Sequence, residues 1–322
     1  MSHKTKHQEV SSLLKNQETW IAVDWGTSRL RVWHMSVRGE ILGHKNCEHG
    51  MNSLLPDAFE AVLLSQINTW LNPQLITTVL ACGMLGSRQG WMEVSYVAAP
   101  CLATNAPTQA LTQDPRIQVY IFPGIKQLAP ADVMRGEETQ IAGFMAQEPE
   151  FNGVICLPGT HAKWVQVQGA KIIQFQTYLT GELYALLAKQ SVLRHCLDTA
   201  AWDDEAFAAA IKQSIESPQS VSAKLFSLRA QTLLNDLAPS SANAALSGYL
   251  IGLELASCQH FWQQLQSEQQ SSNPQIIIIG DSTLSKRYAQ ALSLLGISSY
   301  QQNSESLTLQ GLALAHQQFQ IL

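Results

Sequence analysis

The sequence predicts an α/β protein built from two related halves, and three observations carry that reading. Apolar, β-rich runs alternate with amphipathic segments along the 322 residues. A strand–turn–strand unit spanning Trp20 to Trp33 has a counterpart that begins at Gly153. Both turns carry glycine and threonine. With 46% hydrophobic and 14% charged residues the chain is globular, and its length allows two domains with real cores.

Trp20 to Val23 reads as a buried strand that ends in Asp24, Gly26, Thr27 and Ser28, and Leu30 to Met35 starts the next. Hydroxyl and backbone donors beside one carboxylate suit nucleotide phosphates and a hydrated Mg²⁺. A plain hairpin turn satisfied by its own Asp and Thr fits equally well. The segment alone does not separate the two. Ile41 to Cys47 follows as a third strand. Phe59, Val62, Leu63, Ile67, Trp70 and Leu71 then make one face of a helix over 57–71. Ile76 to Cys82 is a strand that runs into the glycine-rich loop Gly83 to Trp91, a usual place for ligand contacts.

After a strand at Ile117 to Phe122, a helix is expected from Glu137 onward. Acids in a first turn are favourable on electrostatic grounds alone, which accounts for one of Glu137 and Glu138. The second, beside Arg135 and Gly136, leaves room for a catalytic base. The second half repeats the pattern. Gly153 to Leu157 leads into Pro158-Gly159-Thr160-His161-Ala162-Lys163, then strands over 164–167 and 171–178. Thr180 reads as the N-cap of a helix over 181–189. Further helices are expected over 203–213, 220–235 and 241–265, with a polar linker over 266–274. The isoleucine-rich run 275–279 is a buried strand that opens at Gly280-Asp281-Ser282 into a helix over 283–295, an arrangement suited to an anionic or nucleotide ligand. A last helix covers 305–318.

Several classes are excluded or disfavoured. A net charge of −5 argues against nucleic-acid or anionic-membrane binding, and no apolar run is long enough to span a bilayer. Residues 1–18 are polar and read as a flexible tail, not an export signal. The six cysteines form no CxxC pair, which fits reduced thiols in a cytoplasmic protein. No Walker loop, GxGxxG fingerprint, GxSxG elbow or HExxH pair is present. His161 reads as a hydrogen-bonding turn residue before a catalytic one.

Asp24-x-Gly26-Thr27 resembles the first phosphate motif of the actin, hexokinase and Hsp70 ATPase superfamily, and Pro158-Gly159-Thr160 resembles the second. Gly280-Asp281-Ser282 stands where the adenosine motif belongs, with one glycine where many members carry two. More narrowly, Asp24 to Ser28, Cys82 to Trp91, Arg135 to Gln140 and Leu157 to Trp164 resemble the 2-dehydro-3-deoxygalactonokinase family. The resemblance implies a two-lobed ribonuclease H-like (actin/hexokinase-type) fold with an interdomain nucleotide cleft. The lobes would cover 19–145, with the first phosphate motif and sugar-acid contacts, and 146–322, with the second phosphate motif and adenosine site. It implies ATP-dependent phosphorylation of 2-dehydro-3-deoxy-D-galactonate at O6, in D-galactonate catabolism. Asp24 would hold Mg²⁺. ATP would be bound by Asp24, Gly26, Thr27, Ser28, Gly159, Thr160, Gly280 and Asp281, with Lys163 either neutralising charge or solvating its turn.

Glu138 aligns best with the expected base, and Glu137 stands close behind. Arg88, Gln89, Trp91 and Arg135 are the candidate sugar-acid contacts, since an arginine fork matches a carboxylate. Arg29 is a third arginine that could serve the phosphates instead. The expected partners are small molecules, with no nucleic acid and no membrane, and a homodimer is compatible with the sequence. The rivals are a kinase for another sugar or sugar acid, a non-catalytic sensor of the same fold, and a sugar-independent ATPase.

Overall fold

Two β-sheets of the same design organise the chain. A computed structural model describes residues 19–269 and 276–321. The tail expected over 1–18 lies outside the described residues, as does the expected linker from residue 270 onward. Two compact units are present: one runs up to Glu150 and resumes at Glu305, and the other is Phe151–Ser304.

In the first unit β1 (Thr19–Trp25), β2 (Leu30–Ser36) and β3 (Ile41–Cys47) form an antiparallel meander. β4 (Thr77–Gly83) and β5 (Ile117–Ile121) extend it in parallel, giving the order β3-β2-β1-β4-β5. β4 is buried at every position, as a central parallel strand covered on both faces must be. Helix α1 (Phe59–Ile67) presents Phe59, Leu63 and Ile67 to Ile21, Val23 and Val79. It is shorter than the expected 57–71 because 3₁₀ turns at Pro56–Ala58 and Asn68–Trp70 replace its ends. Helix α2 (Glu137–Gln147) starts where expected.

The second unit repeats the plan with β6 (Gly153–Leu157), β7 (Ala162–Gln168), β8 (Lys171–Tyr178), β9 and β10. Helices α3 (Thr180–Gln190), α4 (Asp204–Glu216), α5 (Val221–Leu234) and α6 (Pro239–Gln269) intervene before β9 (Ile276–Gly280). Helix α7 (Ser282–Ser293) then leads to β10 (Ser299–Asn303). The five-strand order β8-β7-β6-β9-β10, two antiparallel pairings followed by two parallel ones, matches the five strands named for the first sheet, which a two-residue strand at Thr108–Gln109 extends beside β5. This is the ribonuclease H-like fold of the actin/hexokinase type, present twice. Its second core joins Val154, Cys156, Trp164 and Ile278 to Phe207 and Leu255.

Two expectations need correction. Thr180 does not cap α3. Leu179 holds the N-cap position without a side-chain bond, and the Thr180 hydroxyl donates to the buried carboxylate of Glu254. The last helix, α8 (Ser304–Ile321), belongs with the first unit and not the second. Its Leu312 and Ala315 pack with Trp20, Ala22, Leu80 and Cys82, and its backbone crosses α2 at close range. A Cβ on Gly143 would lie 2.0 Å from the Leu307 carbonyl oxygen, and one on Gly311 would lie 2.0 Å from that of Thr139. The crossing therefore needs glycine on both helices. Gly143→Ala is expected to destabilise the chain by about 1–3 kcal/mol through overpacking. A lower midpoint in urea unfolding checks this, and an unchanged midpoint would mean the helices separate freely.

Candidate active site

Three backbone ends meet in the first unit: the C-terminal ends of β1 and β4 and the N-terminus of α2. The β1–β4 register sets Asp24 opposite Cys82 and Trp25 opposite Gly83. Gly83 has φ +95°, and a Cβ there would lie 2.5 Å from the Trp25 carbonyl oxygen. Gly136 has φ +105°, and a Cβ there would lie 3.3 Å from the Gly83 Cα. Only glycine adopts these conformations at such spacing without strain. The consequence is that Asp24, Glu137 and Glu138 gather in one corner, where the Glu137 charge acts on both Asp24 and Glu138.

Glu138 is 2% exposed, and its carboxylate accepts the Gly136 N–H at 2.7 Å. Burial pushes its carboxyl up to about 8, with the Glu137 charge adding to the effect. The N–H groups at the helix start and the Arg135 charge pull it down by less. Glu137 accepts the Arg135 N–H at 3.0 Å. Both acids thus stitch the helix start, as acids in a first turn commonly do. Burial is what sets Glu138 apart. It lines a cavity of about 10 Å³ with Asn105, Phe122, Thr139 and Gly311.

Asp24 contacts the Arg31 guanidinium through Oδ2, and Arg31 also donates to Glu305 at 3.2 Å. Burial pushes the Asp24 carboxyl up; Arg31 opposes this, while the charges of Glu137 and Glu305 add to it. Arg31 carries no signal of its own in the sequence, where nothing in the pattern separates it from Arg29. In the adjoining turn the Gly26 N–H donates to the Arg29 carbonyl at 2.9 Å, and Met51 and Asn52 donate to the carbonyls of Gly26 and Thr27. This pins the turn and leaves Thr27, Ser28 and Arg29 exposed.

The four candidate sugar-acid contacts separate by burial. The Arg88 side chain is 82% exposed, with Glu93 at 3.9 Å, and Gln89 is exposed beside it. Trp91 packs toward Phe59 at the edge of the core. Arg135 is buried. Its Nη2 donates to the Val94 carbonyl at 2.7 Å and its guanidinium lies over the Tyr96 ring at 4.3 Å. Among the described residues its Nε and Nη1 have no hydrogen-bond partner.

In the second unit the Pro158–Lys163 turn carries an open Gly159, with Thr160 and His161 exposed. His161 Nε2 lies 2.5 Å from the Glu182 carboxylate, and the buried Lys163 donates to the His161 carbonyl at 3.2 Å. Gly280 ends β9. Asp281 then caps α7 by accepting the N–H groups of Thr283 and Leu284 through one oxygen. Among the described residues no three His, Cys, Asp or Glu side chains gather as an all-protein metal cage, and no helix is long and apolar enough to cross a membrane.

A family model described as 2-keto-3-deoxy-galactonokinase matches residues 24–315. A "Probable 2-dehydro-3-deoxygalactonokinase" of Rhizobium meliloti (strain 1021) is 37% identical over 243 residues, 74% of this chain and 79% of the relative. The 2-dehydro-3-deoxygalactonokinase of Escherichia coli (strain K12) is 31% identical over 279 residues, 86% of this chain and 90% of that one. A crystal structure described as a "putative 2-dehydro-3-deoxygalactonokinase protein" from Sinorhizobium meliloti superposes with a TM-score of 0.83 at 30% identity. It covers 93% of this chain and 99% of its own.

Proposed function

The chain belongs to the 2-keto-3-deoxy-galactonokinase family, and from that premise we propose how its residues transfer a phosphoryl group from ATP to O6 of 2-dehydro-3-deoxy-D-galactonate. The products are 2-dehydro-3-deoxy-6-phospho-D-galactonate and ADP. The O6 oxygen attacks the γ-phosphorus, an O–P bond forms, the bond to the β–γ bridging oxygen breaks, and the hydroxyl proton leaves. The observation that carries this reading is a carboxyl held near pKa 8 at a helix start, in the same corner as a second, phosphate-motif carboxylate.

Glu138 accepts the O6 proton. Its buried position excludes competing water, and its raised pKa makes it a stronger base than an ordinary carboxylate. Glu137 serves as the neighbouring charge that holds Glu138 up and fixes the Arg135 backbone. Thr27 and Ser28 offer exposed donors to the phosphates while Gly26, whose own N–H is held by the Arg29 carbonyl, shapes their turn, and Gly159 and Thr160 serve the phosphates from the second unit. Lys163, Gly280 and Asp281 support the nucleotide at their own turns.

Asp24 fits Mg²⁺ by the chemistry of its surroundings: it is a hard oxygen donor with Oδ1 facing a glycine. Mg²⁺ commonly binds through one or two carboxylates plus water and phosphate oxygens. When bound it neutralises phosphate charge.

Arg135 takes the substrate carboxylate in preference to Arg88. A buried guanidinium with two unpartnered nitrogens carries an unmet hydrogen-bonding demand, whereas an exposed one is met by water. Arg135→Lys, which loses the planar fork, is expected to raise KM for the sugar acid roughly tenfold or more, with KM for ATP little changed. Arg88→Lys is expected to move neither constant beyond about twofold. Steady-state kinetics check both, and the reverse ranking would hand the role to Arg88. Coupled ADP-release assays over a panel of 2-keto-3-deoxy sugar acids test the substrate assignment. The galactonate epimer should give the highest kcat/KM, and a higher value for another sugar acid would reassign it.

A further inference from the structure

In the second unit one carboxylate ties together three segments that the phosphate and adenosine motifs depend on. Glu254 of α6 is 1% exposed and accepts three hydrogen bonds. Trp164 donates at 2.7 Å from β7, the strand that leaves the Pro158–Lys163 turn. Tyr288 donates at 2.8 Å from α7, the helix that follows Gly280-Asp281. The Thr180 hydroxyl donates from the first residue of α3.

Helix α3 in turn grips the Pro158–Lys163 turn at three places. Gly181 packs so closely that a Cβ would lie 2.3 Å from the Gly159 carbonyl oxygen. The Glu182 N–H donates to the Thr160 carbonyl at 2.9 Å, and its carboxylate meets His161 at 2.5 Å. Thr180 is the residue just before these contacts. Displacing the helix start by a fraction of an ångström would shift the backbone of Gly159 and Thr160 with it, because the Gly181 contact leaves no slack.

The geometry points to Glu254 as a positioning residue for ATP, holding the Gly159-Thr160 turn in register through Thr180 and the first turn of α3. This rests on the reading above that the turn holds the nucleotide's phosphates. Glu254 touches no reactant. Three neutral donors converge on the buried carboxyl, and loss of one leaves it with fewer partners than burial demands.

The test compares Thr180→Val, which keeps the shape and removes the donor, with Ser214→Ala, which removes a buried hydroxyl bonded to the Ala210 and Tyr249 carbonyls elsewhere in the same unit. Both are expected to lower the thermal midpoint. Only Thr180→Val should raise KM for ATP, by roughly tenfold, the equivalent of one buried hydrogen bond. KM for the sugar acid should stay within about twofold, and Thr180→Ser should restore the wild-type value. If Thr180→Val does not fold, Glu254→Gln supplies the same reading. It keeps the side chain's volume and makes the hydroxyls accept a bond, and it should raise KM for ATP about threefold. A KM for ATP that moves no more than in Ser214→Ala overturns the inference. Gly159→Asp, measured alongside, separates the two layers. If it raises KM for ATP while Thr180→Val does not, the positioning role alone fails. If neither does, the assignment of the turn to ATP fails and the positioning role falls with it.

Discussion

Glu138→Gln is expected to lower kcat by roughly 10²–10⁴-fold while leaving KM for ATP nearly unchanged, the usual cost of losing a general base. The pH profile adds a sharper signature. A base with a pKa of about 8 must lose its proton before it can accept another, so wild-type kcat/KM should climb with pH, reach half its plateau at about 8 and level off above that. The variant should lack that limb. Stability should move the other way. Glu138 binds its proton more tightly in the folded chain than at the ordinary value of 4.5, so its stabilising share is full below 4.5 and is lost as pH rises through about 8. At pH 8 the glutamine variant should therefore be more stable than wild type, by on the order of 1–3 kcal/mol. A catalytic loss accompanied by a lower thermal midpoint would mean Glu138 is a structural acid. A near-normal kcat would move the base to Glu137.

Asp24→Asn is expected to lower kcat by roughly 10²–10³-fold, in the range seen when one preorganised electrostatic contact to the transferring group is removed. Thermal stability should hold or rise. Burial opposes the Asp24 charge more strongly than Arg31 supports it, and Arg31 keeps Glu305 as a partner. The apparent affinity for Mg²⁺, read from kcat/KM against free metal at fixed ATP, should weaken as well. Full activity with an unchanged metal requirement would leave the Asp24-Trp25-Gly26-Thr27 turn as the ordinary hairpin that its sequence also allows.

The sheets were largely legible because their strands follow simple rules. β1, β4, β6 and β9 are apolar runs bounded by glycine or by charged and polar residues, and buried parallel strands must look that way. β10 was not legible: Ser299-Tyr300-Gln301-Gln302-Asn303 carries no apolar alternation, since an edge strand is held by pairing with β9 more than by its side chains. The ownership of α8 was hidden for a related reason. A glycine inside a helix costs stability in isolation, and only the crossing of two backbones shows why Gly143 and Gly311 stand there.

Within the candidate site, the acids at 137 and 138 stood out as a pair, but nothing in their order tells which one is buried. That follows from Gly83 and Gly136 folding against each other, a contact between residues 53 positions apart in the chain. Glu254 lay deepest in the noise. A lone glutamate in Gly-Leu-Glu-Leu-Ala looks like surface, and its three donors come from segments 90, 74 and 34 residues away. Arg88 and Arg135 were equivalent as sequence. Burial alone separates an arginine that water satisfies from one that it does not.

The most direct measurement follows ATP consumption and sugar-phosphate formation together, with purified protein, Mg²⁺, ATP and 2-dehydro-3-deoxy-D-galactonate. One ADP is expected for each molecule of 6-phosphorylated sugar acid, and almost no ADP when the sugar acid is left out. ADP release at the same rate without the sugar acid, or phosphate carried at a position other than O6, would contradict it.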